Sequence, residues 1–165
     1  MSDATKQFGV RFYFIFFVIL MGMMYFFFED ALQKQWNPNQ EVKTQGETVV
    51  LKRNKYGHYI LNGLINEQPV RFMLDTGATR VAIPLQVAER LDLQKGRKYQ
   101  TSTANGLSTS YDTTLETLSF GNIHLQNVKA GIATGFEGEE ILLGMSALKQ
   151  LEFTQKGDTL IIKQP

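Results

Sequence analysis

The residues best equipped for chemistry lie together at Asp75-Thr76-Gly77-Ala78-Thr79. Asp75 follows the apolar run Phe72-Met73-Leu74, and Val81-Ala82-Ile83 comes soon after. That frame places the carboxylate in an apolar interior, where it is costly unless another group pairs with it. A carboxyl so placed is a candidate for acid–base work. Asp and Gly are also ordinary turn residues, so the tripeptide alone reads equally well as a β-turn. The apolar segments on both sides favour a site.

Other candidates carry less. Cysteine is absent, which excludes disulfide frameworks, thiolate metal sites and cysteine nucleophiles. His58 and His124 are far apart and lack ligand spacing, so no metal and no cofactor is expected. Gly144-Met145-Ser146 shares part of a nucleophile elbow, but Leu148 stands where the closing glycine belongs. Glu137-Gly138-Glu139-Glu140 reads as a solvated loop and Lys95-Gly96-Arg97-Lys98 as a basic turn. With 17 Lys+Arg against 16 Asp+Glu, the charge balance argues against a nucleic-acid partner.

The elements that must position Asp75 are short and alternating. Val49-Val50-Leu51, Tyr59 to Ile65, Val70 to Leu74 and Arg80 to Ile83 read as strands, with a turn at Asn66-Glu67-Gln68-Pro69. Pro84 to Leu91 is the one convincing helix: proline opens it, and Leu85, Ala88 and Leu91 share a face. Tyr99 to Thr114 is rich in Thr and Ser, and its Asn105-Gly106 is a strong hairpin signal. Strands at Leu115 to Phe120, Ile123 to Ile132 and Ile141 to Leu143 follow, then a helical stretch from Met145 to Leu151. A last hairpin turns at Lys156-Gly157-Asp158. This pattern predicts a small all-β fold, closed or sandwich-like, over residues 49–165.

The chain's beginning is a different material. Eight of the 12 Phe residues precede residue 30, and Phe12 to Phe28 carries no charge. Residues 8–28 form a helix of about 31 Å, which matches a hydrocarbon core. The stretch is too long for a signal peptide's apolar region, and its exit lacks a small-x-small cleavage site. Residues 8–28 are therefore expected to anchor the chain in a bilayer. Lys6 and Arg11 precede the span, and Glu29 and Asp30 follow it. The positive-inside rule places residues 1–7 in the cytoplasm and the β domain on the far side of the inner membrane, in the periplasm or beyond. Residues 29–48 read as a helical exit ended by Pro38, then a linker.

Taken in order, these segments resemble the retropepsin-like aspartic proteases, in particular the bacterial membrane-anchored, single-domain members. Asp75-Thr76-Gly77-Ala78-Thr79 matches the active-site loop, and Asn37-Pro38-Asn39 lies after a leading span. Thr103-Ala104-Asn105-Gly106 falls where the family's flap hairpin stands. Leu142-Leu143-Gly144 matches the segment that threads behind the catalytic loop, and a terminal hairpin closes the domain. Arg80 departs from the pattern, since a small or polar residue is more usual there.

The resemblance implies a single-domain closed β fold with one short helix and an endopeptidase acting on peptides or proteins. Asp75 is its catalytic residue, and the chain has only one Asp-Thr-Gly. The second carboxylate is then expected from Asp75 of an identical partner on a two-fold axis. Thr76 would brace the two loops across the interface, and the Gly77 N–H would donate to the carboxylate. The reading from another class is a catalytically weak domain that binds peptides or proteins in the same cleft, because fold does not fix function.

Overall fold

The computed structural model describes residues 3–103 and 106–165. The chain divides into two compact units, one ending at Gln35 and one comprising Trp36–Pro165. The first is α1 (Asp3–Trp36), a continuous helix. Its Arg11–Trp36 stretch is long and apolar enough to cross a membrane, as a signal sequence also can be, and none of its most apolar window is buried. Among its described residues, the large apolar side chains from Phe12 to Phe28 are all exposed. An ion pair along it joins Lys34 to Asp30, one turn apart, at 2.7 Å.

The second unit is built from two sheets. The smaller has β1 (Lys43–Gln45), β2 (Thr48–Lys52), β11 (Thr159–Lys163) and β10 (Glu152–Lys156), paired antiparallel in that order. Alternation explains its orientation: Val49 and Leu51 on β2, and Leu160 and Ile162 on β11, point into the core, while their neighbours do not. The larger sheet contains β3 (Ile60–Ile65), β4 (Gln68–Leu74), β5 (Val81–Pro84), β6 (Lys98–Thr103), β7 (Gly106–Phe120), β8 (Ile123–Ala133) and β9 (Glu140–Leu143). Its order is β3-β4-β9-β5-β8-β7-β6. Pairing of Leu64 with Ser119 and of Ile65 with Leu118 joins β3 back to β7 and closes the ring. The closed form of the expected β fold is the one present.

Local chemistry accounts for the turns and helices. Asn66 and Glu67 carry positive φ values of 47° and 66°, and Ile65 pairs with Gln68 across them. The tight turn is thus centred on Asn66-Glu67, and Pro69 sits inside β4. Pro84 caps α2 (Leu85–Arg90), which buries Val87 and Ala88. The second helix, α3 (Met145–Leu148), is a single turn that buries Ala147 and Leu148. Side chains including Phe72, Ile83, Leu115, Leu118, Ile132, Ile141 and Leu143 fill the centre. Phe72 and Phe120 meet edge to face at 6.4 Å between centroids.

Residues 37–48, read from sequence as linker, are folded into the domain. Asn37 and Asn39 are buried at 2% and 4% exposure. Asn39 Nδ2 donates to the carbonyls of Lys52 and Ile60, and its Oδ1 accepts from the Lys52 N–H. Asn37 Nδ2 donates to Asn62 Oδ1 at 2.9 Å, and Asn37 Oδ1 accepts from the Asn39 N–H. Polar residues flanking a proline read as solvated chain. Here their amides supply hydrogen bonds to a segment that runs beside β3 through a parallel bridge from Asn39 to Leu61.

Candidate active site

The loop bearing Asp75 is held by three strands. On one side of β9, β4 runs parallel and sets Leu74 opposite Leu143; on the other, β5 sets Ala82 opposite Leu142. The segment Leu142-Leu143-Gly144 therefore threads between the two strands that lead into and out of the loop. The Asp75 N–H donates to the Leu143 carbonyl at 3.2 Å, which fixes where the chain leaves the sheet. The loop then turns on itself: the Ala78 N–H donates to the Asp75 carbonyl, and the Met145 N–H to the Ala78 carbonyl.

Gly144 permits this threading. A Cβ there would collide with the carbonyl oxygens of Arg80 and Ala78. Ser146, weighed above as part of an elbow, is a strut between strands. Its hydroxyl accepts from the Val81 N–H at 2.9 Å and donates to the Lys129 carbonyl at 2.6 Å. Its proton and lone pair are both engaged, which does not suit a nucleophile.

Asp75 is half-buried, and Thr76, Gly77 and Thr79 are exposed. Asp75 Oδ1 accepts from the Gly77 N–H at 2.8 Å. The expectation of an apolar interior is corrected in degree. The strand ends at Leu74, and the carboxyl emerges at the mouth of an open recess of about 360 Å³ lined by Tyr59, Leu74, Asp75, Thr76, Phe153, Gln155 and Leu160. One oxygen is bound by the loop, and the group faces space that another molecule can reach. Gly77 has a second reason to be glycine, since a Cβ there would lie 3.1 Å from Asp75 Oδ1. Phe153 and Gln155 were not singled out in the sequence. Their signal was only that a terminal hairpin must pack somewhere.

The expected flap is a hairpin of β6 and β7, with Thr103 opposite Gly106. Gly106 has a φ of 104°, a value suited to glycine, and it begins β7. Ala104 and Asn105 lie outside the described residues.

Arg80, the one departure from the expected motif, has partners. Its guanidinium pairs with the Asp112 carboxylate and lies over the Tyr99 ring, 5.4 Å from the centroid. Arg97 Nε lies 3.5 Å from the other Asp112 oxygen. Among the described residues, no cluster of three or more His, Asp or Glu side chains could hold a metal.

Comparison with known proteins agrees with this architecture. The family model described as "gag-polyprotein putative aspartyl protease" matches residues 61–150, more than half of the chain. The chain belongs to this family of aspartyl proteases. A crystal structure of a retropepsin-like aspartic protease from Rickettsia conorii shares 31% identity, with a TM-score of 0.59 over 71% of this chain and 99% of that one. The fold is retropepsin-like. An uncharacterized protein of Rickettsia prowazekii is 30% identical over 76% of this chain and 55% of its own. An uncharacterized protein from the cobV 5′ region of a Sinorhizobium species is 30% identical over 66% of this chain and 48% of its own. The chain thus spans about half the length of these curated relatives.

Proposed function

We propose that the protein is a membrane-anchored aspartic endopeptidase whose site is completed by a second copy. One observation carries the reading: Asp75, held by the Gly77 N–H, faces an open recess whose other wall is the terminal hairpin. All five residues of β10 are exposed, and β10 is the last strand of its sheet. A two-fold axis beside this edge would bring Asp75 of each protomer to a common centre.

Two carboxylates about 3 Å apart do not both ionise and so share one proton. The ionised one removes a proton from a water molecule as the water oxygen attacks the scissile carbonyl carbon. The protonated one donates to the carbonyl oxygen. Collapse of the tetrahedral species breaks the C–N bond: the carboxyl that took water's proton gives it to the leaving nitrogen, and the other carboxylate recovers a proton from the diol hydroxyl as the new carbonyl forms. The β6–β7 hairpin would act as a lid, and an extended peptide beneath it would pair as an added strand. The helix near the N-terminus would hold the domain at the far face of the inner membrane, where confinement in a plane raises the chance of pairing.

The test is cleavage of fluorescein-labelled casein by the full-length chain, with and without pepstatin. Asp75→Asn keeps an oxygen to accept from Gly77 and removes the base. It is expected to fold like the wild type and to lose cleavage completely. Equal cleavage by both proteins would exclude this site.

A further inference from the structure

We infer that Arg80 is a positioning residue that latches the root of the β6–β7 hairpin to the catalytic loop; this rests on the protease reading for its effect on turnover. Both ends of the latch are fixed. At the loop end, the Arg80 backbone is enclosed: its carbonyl faces Gly144, and the next N–H, that of Val81, donates to Ser146 Oγ. At the hairpin end, the Asp112 N–H donates to the Arg97 carbonyl at 2.9 Å, and the Asp112 carbonyl accepts from the Gly96 N–H at 2.7 Å. Gly96 is closely approached there, since a Cβ would lie 2.8 Å from the Asp112 carbonyl oxygen. Asp112 is thus secured to the chain just before β6, one residue beyond the first rung of the hairpin, Lys98 opposite Tyr111.

Between these two fixed points the main chain is joined through β8, where Gly131 lies opposite both Ala82 and Asp112, and the Arg80 side chain adds a direct tie across it. The Arg80 guanidinium reaches the Asp112 carboxylate on β7 and the Tyr99 ring on β6, so one group holds both arms of the hairpin at their base. The Arg80 side chain is 43% exposed and that of Asp112 29%. A pair so open to water contributes little to global stability. Its effect is on direction: where the β7–β8 ladder ends near Ser110, it adds a restraint on the angle at which the hairpin leaves the platform that carries Asp75. Small changes of angle at the root are magnified along the arms, and a lid that closes off-line misplaces the peptide bond.

The experiment uses the full-length chain in detergent and two readouts. Amide hydrogen exchange over 98–103 and 106–112 is compared for wild type, Arg80→Ala, Asp112→Asn and Asp75→Asn. Casein cleavage is followed as kcat and KM on the same samples. Arg80→Ala and Asp112→Asn should speed exchange in the hairpin alone, leave Tm near the wild-type value, and lower kcat/KM by about tenfold with both constants changed. Arg80→Lys, which keeps the charge, should recover part of the loss. Asp75→Asn should abolish cleavage without altering exchange in the hairpin. Unchanged hairpin exchange in Arg80→Ala overturns the latch whatever the activity. Absent cleavage by the wild type, with faster hairpin exchange in Arg80→Ala, retains the latch as a structural device and removes the protease reading instead.

Discussion

Single atoms decide much at the Asp75 loop. Gly144 is buried where the backbone carbonyls of Arg80 and Ala78 converge, so even one methyl group has no space. Gly144→Ala is expected to destabilise the domain by about 3 kcal/mol, the upper part of the range for overpacking. Urea unfolding of residues 36–165 would measure it, and an unchanged midpoint would contradict the threading described for Leu142-Leu143-Gly144. Gly77 is less confined, and its substitution acts on the site more than on the fold. It lies beside Asp75 Oδ1 on an exposed loop.

For whole strands and segments, alternation was a good guide. β2, β3, β4, β5, β8 and β9 lie where apolar runs bounded by turn residues placed them, because each has a face to bury. The loop at Asp75 was legible because its residue types are few and their order is constrained. The segment at 37–48 was misread for a physical reason: buried asparagines satisfying backbone groups have the same composition as solvated chain. Their burial depends on β2 and β3, which arrive later in the sequence. Arg80 was visible as an oddity, but its partners at Asp112 and Tyr99 are joined to it only through tertiary structure. The Asn39 network yields its own prediction. Asn39→Ala leaves the Lys52 N–H and the carbonyls of Lys52 and Ile60 without this partner and should cost about 3 kcal/mol, as for a lost buried network. Thermal or urea unfolding of the same fragment measures the loss; a cost below about 1 kcal/mol would mean that the segment is not integral to the fold.

At the level of the whole molecule, the question is assembly. β10 is exposed along its length, with Phe153 at 42% exposure beside the Asp75 recess. An uncovered edge strand invites pairing with another chain unless a partner or a charge protects it. Phe153→Lys is expected to leave the monomer folded, prevent the pairing that completes the site, and lower casein cleavage at least tenfold. Chemical cross-linking in isolated membranes would read the pairing. In the same preparation, retention of both proteins after a carbonate wash would support the anchor. Full activity in a variant that no longer cross-links would refute the shared dyad.

The strand that threads behind the Asp75 loop also sets a timetable. Residues 140–144 must lie between β4 and β5 before the loop at Asp75 can take its shape, yet they are made some 65 residues after it. On the ribosome, the carboxylate therefore leaves the tunnel long before its scaffold does. Pairings this distant in sequence form late, after the local hairpins. A nascent chain consequently carries Asp75 well before it can hold the loop in its folded shape, which waits until residues 140–144 have emerged.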